Sequence, residues 1–132
     1  MPNILVIEPD VVLAETYYEA LTSADHNVVV TPSAQTGIMV ADEFKPDLIV
    51  LELQLIEHSG IEFLYELRSY LDWQNIPVII QTQVAPGEFV DNGMILKQQL
   101  GIATFLYKPR TSLRQLVDAV DAVIPAKAGT QS

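Results

Sequence analysis

Short, unbroken apolar runs alternate along the chain with longer stretches in which apolar residues recur every three or four positions. The runs are residues 3–8 (NILVIE), 27–30 (NVVV), 47–52 (DLIVLE), 77–82 (PVIIQT) and 103–107 (ATFLY). They are rich in β-branched or aromatic residues and too short for helices, which predicts five strands. Apolarity without alternation means that both faces of each strand are covered, as a parallel sheet requires.

The stretches between them carry helical period. Asp10 is the expected N-cap of a first helix that buries Ala14, Tyr17, Tyr18 and Leu21. Ser33 caps a second, with Gly37, Ile38, Ala41 and Phe44 inward, and Pro46 marks its exit. The third opens on a capping box, Ser59 to Glu62, and places Ile61, Leu64, Leu67 and Leu71 on one face. The last opens on a second box, Ser112 to Gln115, and buries Leu113, Leu116, Val117, Val120, Val123 and Ile124. Between Thr82 and Gly101 the sequence carries Pro86, Gly87 and Gly93, so a long loop followed by a fourth helix over 88–99 is expected.

Five β-α units with right-handed crossovers predict an α/β fold: a flavodoxin-like, doubly wound, five-stranded parallel sheet of order 2-1-3-4-5 with five helices. At 132 residues and 49% apolar content the chain is long enough for one domain with its own core. That domain is expected over residues 1–125, with residues 126–132 as a flexible C-terminal tail.

Charge narrows the function. Seventeen acidic side chains against seven basic give a net charge of −10, which repels nucleic-acid phosphates and anionic membrane. There is no cysteine, hence no disulfide and no thiolate metal site. The first apolar run is too short for a signal peptide or a membrane span, so a cytoplasmic location is expected. His26 and His58 have no second histidine or cysteine at ligand spacing and are not expected to bind metal. Trp73 reads as a partly exposed loop aromatic.

In such a sheet the ligand crevice lies at the carboxyl ends of the strands, beside the switch point between the first and third. At those ends stand Glu8 and Asp10, Glu52, Thr82, and Lys108 before Pro109. Buried charges need partners, so acids and an ammonium on one rim point to a built polar cluster.

This set, in this order, resembles the response-regulator receiver domain of two-component signalling, over about residues 3–124. The matching pieces are ILVIEPD, PDLIVLELQL with the following SGIEFL, PVIIQT and FLYKP. In that family, two acids after the first strand and an Asp ending the third bind a divalent cation, and the Asp accepts a phosphoryl group from a histidine kinase. A Thr or Ser then bonds the phosphoryl group, a Lys pairs with it, and an aromatic side chain swings inward. The resemblance assigns the switch positions to Thr82 and Phe105, the phosphate-pairing lysine to Lys108, and the loop glycine to Gly60. The acidic pocket falls on Glu8 and Asp10.

Other positions depart from the pattern. Pro9 stands at the second acidic position, Glu52 at the phosphoacceptor position, and Gln83 where a small residue is usual. Proline removes a carboxylate ligand, worth roughly 8 kcal/mol gross against a divalent ion at 4 Å and an effective dielectric of about 20, before hydration offsets most of it. Glu8, Glu52 and the Gln54 backbone would leave a weak Mg2+ site at most, and no cofactor is expected. Glu52 carries its carboxylate about 1.5 Å further out than Asp would, and near-attack geometry loses about 100-fold per ångström. The expectation is a pseudo-receiver in which Glu52 pairs with Lys108 and stands in for the phosphorylated state.

On this reading the chain is not an enzyme and works by docking a protein, such as a histidine kinase or a downstream signalling protein. The face made by the fourth helix, fifth strand and fifth helix is the candidate, with Arg110, Arg114 and Gln115 as polar contacts, and it could also make a homodimer. Two alternatives stay open: a magnesium-dependent phosphohydrolase-like enzyme, or a flavin- or nucleotide-binding module on the same fold.

Overall fold

The computed structural model describes residues 1–55, 59–85 and 100–124. Five strands form one parallel sheet: β1 (Asn3–Ile7), β2 (Asn27–Thr31), β3 (Leu48–Leu51), β4 (Val78–Thr82) and β5 (Ile102–Tyr107), in the order β2-β1-β3-β4-β5. Among the described residues four α-helices pack on it: α1 (Val11–Ser23), α2 (Ala34–Phe44), α3 (Gly60–Ser69) and α4 (Leu113–Val123). The helix expected over 88–99 and the tail at 126–132 lie outside the described residues, so α4 here is the fifth helix of the sequence prediction.

Strand side chains alternate between two cores, which is why the runs are apolar throughout. On one face Leu5, Ile7, Ile49, Leu51 and Ile80 meet Ala41 of α2 and Phe63, Leu64 and Leu67 of α3. On the other, Ile4, Val6, Val50 and Ile79 meet Tyr17 and Leu21 of α1 and Leu116 and Val120 of α4. Full burial of one such aliphatic or aromatic side chain stabilises by about 1.5–3 kcal/mol. The sheet is therefore clamped from both sides, and only its ends are free to hold polar chemistry.

The helix starts follow the sequence. Asp10 accepts the amide of Leu13 at 3.0 Å, Ser33 that of Thr36 at 3.3 Å, and Ser59 that of Glu62 at 3.1 Å. Ser112 and Gln115 form a complete reciprocal box, at 3.1 and 2.8 Å.

Three inward assignments are corrected. Tyr18 is exposed, because Ala14, Tyr17 and Leu21 complete the buried stripe and the next residue turns off it. Leu71 is exposed because α3 ends at Ser69, and Tyr70, at φ −96° and ψ 129°, breaks the helical phase into a short 3-10 turn over Leu71–Trp73. Leu113 is 43% exposed, being the first residue of α4, a turn ahead of the buried Leu116. Phe63, not singled out from the sequence, is the largest fully buried side chain among the described residues.

At the amino-terminal end of the sheet Arg68 ties α3 to the strand entrances. Its guanidinium donates to the carbonyls of Leu100 (2.8 Å), Trp73 (2.7 Å), Ile76 (2.7 Å) and Gly101 (3.3 Å). Burial lowers its pKa. Gly101 has φ +67°, and a Cβ there would meet Arg68 Nη2 at 2.8 Å, so glycine is required on both counts.

Candidate functional site

The carboxyl ends of β1, β3, β4 and β5 deliver four polar side chains to one buried point. Glu8 follows β1, Glu52 follows β3, Thr82 ends β4 and Lys108 follows β5. Glu8, Glu52 and Thr82 are nearly inaccessible, at 3%, 4% and 0% exposure. Lys108 Nζ lies 2.6 Å from Glu52 Oε1 and 2.5 Å from Glu8 Oε1, so one ammonium bridges two carboxylates. These distances mark short, charge-assisted contacts.

The other oxygen of Glu52 is also held. Oε2 accepts the Thr82 hydroxyl and, at 3.0 Å, the backbone amide of Gln54. The Thr82 oxygen in turn accepts the amide of Val84 at 3.1 Å. Glu8 Oε2 accepts the amide of Asp10 at 3.1 Å. Both strand-end glutamates thus bind the amide two residues on, a local turn that the sequence Glu-x-Asp or Glu-x-Gln allows because each loop leaves that amide unpaired.

Burial raises the Glu8 pKa, with Lys108 opposing the shift and Glu52 reinforcing it. Burial alone would lower the Lys108 pKa, but hydrogen bonds and attraction from Glu52 and Glu8 outweigh it and raise the value above 10.5. The ammonium is therefore charged at neutral pH.

Glu52, Thr82, Lys108 and Glu8 converge as the sequence suggested. Asp10 and Pro9 do not join them: Asp10 Oδ1 is engaged as the cap of α1, and proline offers no side-chain ligand. The Gln54 amide donates to Glu52 Oε2, a bond that leaves out the carbonyl oxygen by which the Gln54 backbone would hold a metal. Phe105 on β5 is partly buried and packs against the core on the α2–α3 face. Gly60 begins α3 so close to the strand end that a Cβ would lie 2.7 Å from Leu53 Cα and 2.8 Å from the Glu52 carbonyl oxygen.

The double role of Lys108, bridging to Glu8 as well as Glu52, was not foreseen. Its only signal was that β1 and β3 are neighbours and both end in Glu. Also unforeseen were two satellite contacts: Gln81 Nε2 to the Tyr17 hydroxyl at 3.4 Å, and His26 Nε2 to Asp121 Oδ1 at 2.7 Å.

A hard divalent cation needs several oxygen donors in near-ideal geometry. Here the two buried carboxylates already share an ammonium. Among the described residues no group of three His, Cys, Asp or Glu side chains could hold a metal ion. This donor set does not fit Mg2+.

A parallel sheet of this order, with a Thr and a Lys meeting an acid at the end of its third strand, defines a receiver fold. The chain belongs to the response regulator receiver domain family, whose model matches residues 4–121. The family serves two-component signalling, and its members interact with histidine kinases and other signalling proteins.

The chain is 30% identical over 127 residues to the transcriptional regulatory protein GlrR of Escherichia coli, covering 94% of this chain and 27% of that protein. It is 35% identical over 80 residues to the KDP operon transcriptional regulatory protein KdpE of the same organism, covering 61% of this chain and 34% of that one. It thus spans about a third or less of these curated relatives. A CheY-like response regulator receiver domain protein from Methanospirillum hungatei superposes with a TM-score of 0.84 at 16% identity, covering 98% of each chain. The non-phosphorylated HemR receiver domain from Leptospira biflexa gives a TM-score of 0.79 at 25% identity, covering 94% of each. Among the described residues no helix is long and apolar enough to cross a membrane.

Proposed function

We propose that this receiver domain is a pseudo-receiver: it signals by protein–protein interaction in a two-component pathway, without conventional phosphorylation and without Mg2+. The observation that carries the reading is the saturation of Glu52. One oxygen is held by Lys108 and the other by Thr82 and the Gln54 amide, so the carboxylate already occupies the contacts a phosphoryl group would take. A carboxylate tied by these hydrogen bonds is a poor nucleophile. With Pro9 in place of an acid and Lys108 between the two glutamates, no cation assists the transfer.

Glu52 supplies one negative charge where a phosphoryl group would carry nearly two. The imitation is held by geometry rather than by charge alone. The partner is a protein, either a histidine kinase or a downstream signalling protein, and the setting is the cytoplasm. Nucleic acid and membrane are not partners at a net charge of −10. A homodimer would use β5, the turn after it, where Arg110 is exposed, and the outer side of α4, where Arg114 is exposed.

Incubation of the chain with a phosphorylated histidine kinase carrying radiolabel, with and without Mg2+, tests this. No stable label is expected, whereas label mapped to Glu52 would overturn the reading.

A further inference from the structure

Between α1 and α4, which both start at the carboxyl end of the sheet, lies a pocket of about 350 Å³. That volume falls at the lower end of small-molecule sites. Leu13 and Leu113 give it apolar walls, and Tyr17 and Gln81 line it from the buried side, at 4% and 3% exposure. Successive residues of a strand face opposite ways. Thr82 therefore turns to Glu52, whereas Gln81 shares the face of Ile79, which belongs to the core under α1 and α4. A carboxamide thus stands where its strand neighbour on that face is aliphatic.

The fold leaves that carboxamide half satisfied. Its Nε2 donates to the Tyr17 hydroxyl at 3.4 Å, a long bond, and its Oε1 has no hydrogen-bond partner among the described residues. A desolvated acceptor left unpaired is unfavourable. The Tyr17 hydroxyl accepts from Gln81 and donates to no acceptor among the described residues. Burial raises its pKa, so the proton stays in place. The threonine hydroxyls of the lining are spent, Thr16 on the Val12 carbonyl at 2.8 Å and Thr111 on the Tyr107 carbonyl at 2.7 Å. Lys108 is the charged residue of the lining, and Glu8 and Glu52 hold its ammonium.

We infer that the α1–α4 pocket binds a small neutral molecule bearing a carboxamide. Its N–H meets Gln81 Oε1, its carbonyl accepts the Tyr17 hydroxyl, and its body packs on Leu13 and Leu113. One open acceptor and one open donor in the same lining select a group that both donates and accepts. Neutrality follows from the absence of an unspent charge in that lining: an anion finds no free cation, and a cation finds no carboxylate. Because Lys108 lines the pocket and also bridges the glutamates, occupancy should be felt at Glu52. The inference rests on Gln81 and Tyr17, whatever the phosphorylation state of Glu52, so it and the pseudo-receiver reading can each fail without the other.

The test titrates the full, isotope-labelled chain with benzamide, followed by amide chemical shifts. Acetophenone, in which a methyl group replaces the amide nitrogen, is the probe of matched shape without a donor. Both are read on the wild type, Gln81→Met and Tyr17→Phe. Benzamide should bind in the millimolar range usual for so small a molecule, with shifts gathered on α1, the end of β4 and the start of α4, and reaching Glu52 and Gln54. Acetophenone should bind about fivefold more weakly, the scale of one hydrogen bond. Gln81→Met should abolish that preference, which a merely structural role for Gln81 would leave intact, and Tyr17→Phe should weaken benzamide by a similar factor. Should Gln81→Met fail to fold, the two probes on the wild type and Tyr17→Phe still decide. The inference is overturned by no shifts at tens of millimolar benzamide, which would leave the Gln81 oxygen to water alone. Equal binding of the two probes, or shifts centred on α2 and α3, would do the same. So would concentration-dependent shifts at Tyr17 and Gln81 without probe, which would make a second copy the occupant.

Discussion

At the scale of single residues, the centre of the molecule is an ammonium held by two acids. Removing one member of a buried ion cluster leaves uncompensated charge, at a typical cost of about 3–5 kcal/mol. Lys108→Met should therefore lower the urea unfolding free energy by about that much, and the triple change with Glu8→Gln and Glu52→Gln should recover most of it. A loss below about 1 kcal/mol would show that the cluster is already relaxed by water. Acid and alkali probe the same group through linkage. Glu8 has a raised pKa, so the folded chain keeps a proton there that the unfolded chain has lost above 4.5. Its contribution is fully present below 4.5 and is lost as pH rises through its folded value. Lys108, raised above 10.5, contributes fully below 10.5 and loses that contribution as pH climbs through its folded value. Urea midpoints across pH should fall at the alkaline end in the wild type and lose that component in Lys108→Met; Glu8→Gln should remove the acid-side dependence. Much of this cluster was legible beforehand. Glu52, Thr82 and Lys108 each follow a strand-like run, and parallel topology alone brings strand ends together. The bridge to Glu8 was not legible, because which oxygen meets which nitrogen depends on rotamers that spacing does not encode.

Elements carry the next layer of the argument. Gly60 begins α3 against the carbonyl of Glu52, so Gly60→Ala must push backbone rather than a flexible side-chain tip. A cost of about 1–3 kcal/mol is expected from overpacking, with amide shifts at Glu52 and Gln54. An unchanged melting curve would mean that the loop is free to retreat. Ser112→Ala removes a complete capping box, and about 1 kcal/mol should be lost by urea unfolding. Helix starts were readable because Ser and Asp caps act locally, within three residues. Helix faces were less so. Tyr18, Leu71 and Leu113 all fit an apolar stripe by count, but where a helix stops, and how its first turn overhangs the sheet, is decided by packing.

For the molecule as a whole, topology was the most legible property. Continuous apolarity of all five runs demanded two covered faces, and the two separate cores supply them. Exposed carboxylates stand on all four described helices, among them Glu15, Glu43, Glu66 and Asp118, whereas the exposed guanidinium groups, Arg110 and Arg114, lie just before and at the start of α4. A net charge of −10 on a domain of this size is self-repulsive. Unfolding free energy should rise as moderate sodium chloride replaces dilute buffer, and a fall would show that favourable pairs outweigh the repulsion.

The carboxylate at the end of β3 also sets a clock. A phosphoryl group can be hydrolysed away within the life of a protein, but a glutamate is part of the polypeptide and leaves only when the chain is degraded. A pathway relying on Glu52 in this manner would therefore tune its output through synthesis, turnover and competition for the bound partner, with the amount of protein taking the place of a reversible mark.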